Sequence, residues 1–329
     1  MTACICFALE GILTPADPAA VLGGIIPGGE RLLQAITRYD ALLTREERAD
    51  YQPGDLMAQL EPFLVRHHVL EKQIIAAAAQ VPLAPGATDL TAWLHSHGWK
   101  VFALSNAPEP FAFRLARRLE IYTHNIQAVP SRLETLASAL SQEDAGMLER
   151  AESKILALPP DAADARLLEV MDSFYFGELP ASAVGRALAQ GRATGSRHRL
   201  NGLARFASDH SKPLYEWVVV GDSVLDSRVL QEVEIPGGLA IAFNASAAAL
   251  PYATMCLAAT SVWSLVDVLR AWQRGGRGAV RELVSAREQV PSDDTKGHAH
   301  WLADRKDLDD IITIHRTHHR LRRYFRSRP

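Results

Sequence analysis

Four uninterrupted apolar runs of strand length stand out along the chain: CICFAL (Cys4 to Leu9), KVFALS (Lys100 to Ser105), EWVVVGD (Glu216 to Asp222) and GLAIAF (Gly238 to Phe243). None alternates apolar with polar, so each reads as a strand covered on both faces, over 3–9, 100–105, 216–221 and 238–243. Helical spacing separates them: Leu90 and Leu94 precede a stop at Gly98, and Leu200, Leu203 and Phe206 precede the third run. Strand–helix alternation predicts an α/β fold, a three-layer parallel sheet with helices on both faces. Ligands of such sheets sit beyond the carboxyl ends of the strands, where Ala8, Glu10, Ser105 and Asp222 all fall.

Two helical stretches interrupt the alternation. Residues 17–80 read as a helical cap, with Leu32, Leu33, Ile36, Tyr39 and Leu43 on one face of GGERLLQAITRYDALL, and the cap is expected over the strands' carboxyl ends. Residues 122–196 read as a helical insert in a core made of 1–16 and 81–273. After 274 the character changes. VPSDDTKGHAH reads as a linker, and DLDDIITIHRTHHRLRRYFRSRP as a charged helix whose acidic start and basic end suit the helix dipole.

Composition narrows the class. The 329 residues are 48% hydrophobic, enough for a large core with a smaller unit beside it, and a net charge of −3 sets up no global field for nucleic acid or an anionic membrane. No apolar run reaches the ~18 residues a membrane span needs, and the start carries no basic segment ahead of an apolar one, so a cytoplasmic protein is expected. Cys4, Cys6 and Cys256 read as buried reduced thiols. His67, His68 and the tail histidines His298, His300, His315, His318 and His319 read as solvated rather than metal-bound. The arginines from Arg316 to Arg328 could touch phosphate or an acidic protein partner, but read first as a solvated basic helix end. Trp93, Trp99, Trp217 and Trp263 read as core or near-core packing.

Chemistry concentrates in GDSVLD, Gly221 to Asp226. Asp222 and Asp226 place two carboxylates at one sheet edge, an arrangement that a cation would neutralise; all-oxygen ligands on a loop favour Mg²⁺ with a phosphate. The plainer reading is a turn with a capping aspartate. In ALSNAP, Ser105 and Asn106 end a strand where a hydroxyl and backbone N–H groups could hold phosphate oxygens, or simply cap the next helix.

Taken in order, these segments resemble the haloacid dehalogenase (HAD) superfamily. Its first motif, Asp-x-Asp/Glu-Gly, corresponds to Ala8-Leu9-Glu10-Gly11; its second, a strand ending in Ser or Thr, to Ser105; its fourth to Gly221-Asp222 with Asp226. The stretches LEGILT, GGERLLQAITRYDALL, YQPGDLMAQLEPFL, LAPGATDLTAWL, VVVGDSVLDSRVL and GGLAIAFNASAAAL further resemble the family named for subunit R of energy-converting hydrogenase A, itself similar to phosphoserine phosphatases, over residues 1 to about 270.

The resemblance implies a HAD/Rossmann-like core and a Mg²⁺-dependent phosphomonoester phosphatase acting on a small phosphorylated metabolite. It implies Glu10 as acid–base catalyst with its backbone carbonyl on the metal, Ser105 on the phosphoryl group beside Asn106, Arg199 balancing the phosphate charge, Asp222 as metal ligand and Asp226 orienting the metal shell. The basic residue of the third motif, normally lysine, aligns with Arg199; Lys212 lies too near Asp222.

Ala8 stands where that family has its nucleophilic aspartate, and a methyl group forms no aspartyl-phosphate. Two readings follow. Either an enzyme is shown with its attacking carboxylate replaced, as in an engineered trap, or the protein is a natural pseudophosphatase that binds a phosphorylated ligand or a protein. The retained carboxylates favour the first, and arginine at 199 favours the second.

Overall fold

A computed structural model of the chain describes residues 3–46, 48, 51, 56–190, 195–291, 293–305 and 308–327. Seven strands form one sheet: β1 (Cys4–Ala8), β2 (Lys100–Pro108), β3 (Ile126–Val129), β4 (Trp217–Gly221), β5 (Leu239–Phe243), β6 (Met255–Ala258) and β7 (His298–Trp301), in the spatial order β3-β2-β1-β4-β5-β6-β7. All neighbours are parallel except β7 on β6. The helices are α1 (Pro18–Gly23), α2 (Gly29–Arg45), α3 (Leu56–Arg66), α4 (Glu71–Gln80), α5 (Ala87–Ser96), α6 (Glu109–Arg118), α7 (Leu133–Ser138), α8 (Gln142–Leu156), α9 (Asp164–Asp172), α10 (Leu179–Ala181), α11 (Ala183–Ala189), α12 (Gly195–Asp209), α13 (Ser227–Glu234), α14 (Val266–Glu288) and α15 (Leu308–Arg326).

The continuous apolar runs have the cause their pattern implies. Along β1, Ile5 and Phe7 enter one core and Cys4 and Cys6 the other, so both strand faces are dry. The second core is closed by Leu203 and Phe206 of α12, Val229 and Val233 of α13 and Ile314 of α15. All three cysteines are buried and unpaired, and burial pushes the Cys6 and Cys256 thiols well up. The register pairs Cys4 with both Lys100 and Trp217, so the carboxyl ends of β1, β2 and β4 finish level. That alignment brings Ala8, Ser105 and Asp222 to one edge.

The stretches 17–80 and 133–189 interlock as one helical layer. Arg38 of α2 meets Asp164 at 2.5 Å, Tyr39 donates to Asp172 at 2.5 Å, and Arg66 meets Glu152 at 2.7 Å. These ties cross from one stretch to the other, so neither buries its apolar face alone. Ala16 to Pro18 and Leu56–Met57, at the starts of α1 and α3, roof the cleft described below.

Three expectations need correction. The stretch 122–196 opens with a strand, β3, because Ile126 and Ala128 point into the sheet's core and their neighbours do not. The stretch read as a linker contributes β7, whose Ala299 and Trp301 are buried while His298 and His300 are only half-covered. The change of character near 274 falls inside α14, which kinks at Gly275 and Gly276; the latter holds φ 59°, ψ −149°, open essentially to glycine alone. Trp93, Trp99 and Trp217 are buried, but Trp263 is 43% exposed. Among the described residues no helix is long and apolar enough to cross a membrane.

Candidate active site

Two glycines make the sheet edge possible. Gly11 turns the chain after β1 with φ 86°, and a Cβ there would lie 2.3 Å from the Asp222 carboxylate. A Cβ at Gly221 would lie 2.5 Å from the Asp226 side chain. Each keeps two carboxylate-bearing segments packed against bare backbone.

Arg199, on α12 and 3% exposed, is the hub. Its Nε donates to Asn106 Oδ1 at 3.1 Å, its Nη2 to Glu10 Oε2 at 3.2 Å, and its Nη1 to Asp226 Oδ1. Glu10 Oε1 accepts from the Ser105 hydroxyl at 2.5 Å, and Ser105 Oγ in turn accepts from the Ala107 N–H at 3.0 Å. Burial pushes the Glu10 carboxyl above its ordinary range, against the opposing pull of Arg199 and the Ser105 bond. Burial alone would lower the Arg199 guanidinium; the carboxylates of Asp226 and Glu10 more than offset it and raise it instead.

The two aspartates of the β4 turn have different employment. Asp226 Oδ2 accepts from the Asp222 N–H, the Ser223 N–H and the Ser223 hydroxyl, each at 3.0 Å, so it caps the turn as well as holding Arg199. Asp222 is met from the far end of the chain. Arg322 Nη1 stands 3.0 Å from Asp222 Oδ2 and donates to the Asp222 carbonyl at 2.5 Å, and Arg326 Nη2 donates to Oδ2 at 2.9 Å. Burial raises the Asp222 carboxyl, and the two arginines of α15 restrain that rise.

These groups face a cleft of about 160 Å³ lined by Glu10, Asn106, Arg199, Asp222, Arg322 and Arg326, with Asp17 on its rim and Leu56, Met57, Val224 and Leu225 as apolar walls. Of the residues singled out in sequence, Glu10, Asn106, Arg199 and Asp222 line it. Ala8, Ser105 and Asp226 are packed behind it, 1%, 0% and 2% exposed. Ser105 therefore presents no hydroxyl to the cleft; it orients Glu10.

Arg322 and Arg326 belong to the run of arginines that reads as solvated in the sequence. The helix end that reads as solvated is in fact docked on the site. The missed signal is their four-residue spacing beside Ile314, His318, Leu321 and Phe325, a buried stripe at helical period. His318 is fully buried within that stripe, and its Nδ1 accepts from the Ala245 N–H at 3.0 Å. Among the other histidines, His67 meets Glu152, His298 meets Asp294 and His300 meets Glu288.

The donor set does not fit Mg²⁺, which demands oxygen ligands in near-octahedral array at ~2.0–2.1 Å. The Ala8 side chain supplies no oxygen. Asp222 is committed to two guanidinium groups, Asp226 to backbone and Arg199, and Glu10 to Ser105 and Arg199. Among the described residues no three His, Cys, Asp or Glu side chains form a metal-holding group. Cationic side chains, Arg322 and Arg326, stand beside the carboxylate expected to hold Mg²⁺.

The fold is similar, over nearly the whole chain including its tail, to the solved structure of a gene product of Archaeoglobus fulgidus, with TM-score 0.82, 19% identity and coverage of 99% of this chain and 97% of that one. More distant likenesses include a phospho-aspartyl intermediate analogue of phosphoserine phosphatase (TM-score 0.48, 14% identity, 81% of this chain and 98% of that one) and a HAD family hydrolase from Salmonella enterica serovar Typhi (TM-score 0.46, 13% identity, 74% and 63%). No family model and no curated protein matches the sequence.

Proposed function

We infer that this protein is a non-hydrolysing relative of the HAD phosphatases, a pseudophosphatase whose cleft holds a small phosphorylated ligand. One observation carries the reading: the carboxylate that would bind the metal, Asp222, is held by two guanidinium groups from α15. A trap made by replacing one nucleophile leaves the metal site intact; it does not bring two arginines from residues 322 and 326 onto it. The retained carboxylates, which alone favour an enzyme, have other work here. Asp226 caps a turn and neutralises buried Arg199, and Asp222 anchors a helix.

The chain's own residues support binding without cleavage. Arg199, Arg322 and Arg326 supply positive charge and forked N–H donors suited to phosphate oxygens. Glu10, with its carboxyl raised, is placed to donate to a ligand oxygen when protonated, and the roof at Ala16 to Pro18 and Leu56–Met57 limits the ligand to a small one. No oxygen at position 8 attacks phosphorus. The test is Ala8→Asp assayed against generic aryl phosphates with Mg²⁺. We expect no turnover above the unaltered protein, because the arginine pair still occupies Asp222. Mg²⁺-dependent turnover that Asp222→Asn abolishes would overturn this reading in favour of an enzyme.

A further inference from the structure

We propose that α15 is the cation of this site: Arg322 and Arg326 take the place of a divalent ion on Asp222 and, with Arg199 and Asn106, form a metal-independent cradle for the dianionic phosphate group of a small monoester. The proposal rests on the ligand-binding reading above. It adds which groups bind and why no metal takes part.

Two independent observations carry it. The first is the pair itself. Both guanidinium groups line the cleft, each commits one nitrogen to Asp222, and among the described residues neither has a further acceptor. An arginine carries five N–H donors, so most of each fork remains to be satisfied. The second is Asn106. Its Oδ1 accepts from Arg199 Nε, which fixes the amide's orientation, and its Nδ2 is then a donor. That Nδ2 is buried without an acceptor in a residue only 6% exposed, and Asn106 lines the same cleft. A buried orphan donor is costly and calls for a partner. The unpartnered Asn106 Nδ2 and the N–H groups of Arg322 and Arg326 beyond those given to Asp222 border one small cavity and match an oxyanion.

The local charge is compatible. Glu10, Asp222 and Asp226 are balanced one for one by Arg199, Arg322 and Arg326, and Asp17 on the rim is tied to the Ala19 N–H at 2.9 Å as the cap of α1. In a metal-dependent site the ion would neutralise the carboxylates; here guanidinium groups of α12 and α15 do so, and a chelator has nothing to remove. Leu56, Met57, Val224 and Leu225 give an apolar wall for the ester's organic part.

The experiment is calorimetric titration of the full chain with phenyl phosphate and with inorganic phosphate, each in EDTA and in Mg²⁺. Wild type is expected to bind phenyl phosphate more tightly than phosphate, with affinities unchanged by EDTA. Arg322→Gln/Arg326→Gln should lose about a hundred-fold, on the order of ten-fold per charge-assisted donor group. Arg323→Gln, of equal charge on the exposed side of the same helix, should lose nothing. Binding that needs Mg²⁺, or that is indifferent to the double substitution, overturns the cation role while sparing the binding reading. Equal affinity for phosphate and phenyl phosphate overturns the monoester assignment. No binding of either probe in any condition defeats the binding reading itself. Should circular dichroism show the double variant unfolded, Arg326→Gln, at a half-exposed position, and the EDTA comparison on wild type decide the matter.

Discussion

The two ends of the cleft are closed by different means. At the β2 end, Arg199 ties Glu10, Asn106 and Asp226 into a nearly dry network built from segments around three strand ends. At the end of β4, Asp222 is held by α15, through residues 100 and 104 positions further along that are still partly wet: Arg322 is 18% and Arg326 39% exposed in its side chain. The same elementary pair, guanidinium and carboxylate, is structural at one end and adjustable at the other. Burial decides which, because desolvation makes an unpaired charge intolerable only where water cannot replace the lost partner.

The largest effect expected from this contrast is at Arg199. Arg199→Met strands Asp226 and Glu10 in a dry site and should cost about 3–5 kcal/mol, read as a fall in denaturant midpoint with unchanged slope. A loss near zero would mean water reaches that end too.

Next in size is the arginine pair, and its effect should depend on pH. Asp222 already titrates above its ordinary range through burial; without Arg322 and Arg326 it rises further. A carboxyl raised in the folded state binds its proton more tightly there than in the unfolded chain. Its contribution is therefore favourable at low pH and is lost as pH rises through the folded value. Arg322→Gln/Arg326→Gln should lose more stability at pH 8 than at pH 5, on the order of 1–3 kcal/mol at the upper end once partial exposure is discounted. An equal loss at both pH values would mean that Asp222 is not the group left unpaired.

Gly11→Ala sets a Cβ against Asp222 in a left-handed conformation, at a cost of about 1–3 kcal/mol. It should weaken phosphate binding along with stability, since Asp222 positions Arg322 and Arg326. Gly98→Ala, also at positive φ but with nothing within 4 Å, should show the backbone cost alone.

The smallest effect concerns the seating of α15. Burial depresses the His318 imidazole to about 3, helped by neighbouring His300, His315, His298 and Arg322. A histidine depressed in the folded state contributes stability that is intact above its unfolded value and drains away as pH falls from about 6.5 toward the folded one. Hydrogen-exchange protection factors in α15, taken relative to the intrinsic rate at each pH, should fall between pH 6.5 and 4 while those of β1 and β4 hold, and His318→Met should flatten that response.

How much of this was open to sequence reading follows the same divide. Strands β1, β2, β4 and β5 were legible because burial on both faces leaves an unbroken apolar run. Strands β3, β6 and β7 are four residues each, too short to carry a period, and β7 is half polar because His298 and His300 lie on a partly covered edge. At the site, Glu10, Asn106 and Asp222 stand out at strand ends and Arg199 through the family resemblance, and all four line the cleft. Arg322 and Arg326 do not stand out, since arginines four apart on a helix end look alike whether they face water or a carboxylate. Only packing of Ile314, His318, Leu321 and Phe325 against the sheet side decides which way they point.

The claim that a helix has replaced an ion is tested most directly by a crystal of the unaltered chain soaked in Mn²⁺ and measured for anomalous scattering. The account predicts no manganese peak beside Asp222, with Arg322 and Arg326 in density on its carboxylate. A peak there, bound by Asp222 and the Glu10 carbonyl with the arginines displaced, would contradict it.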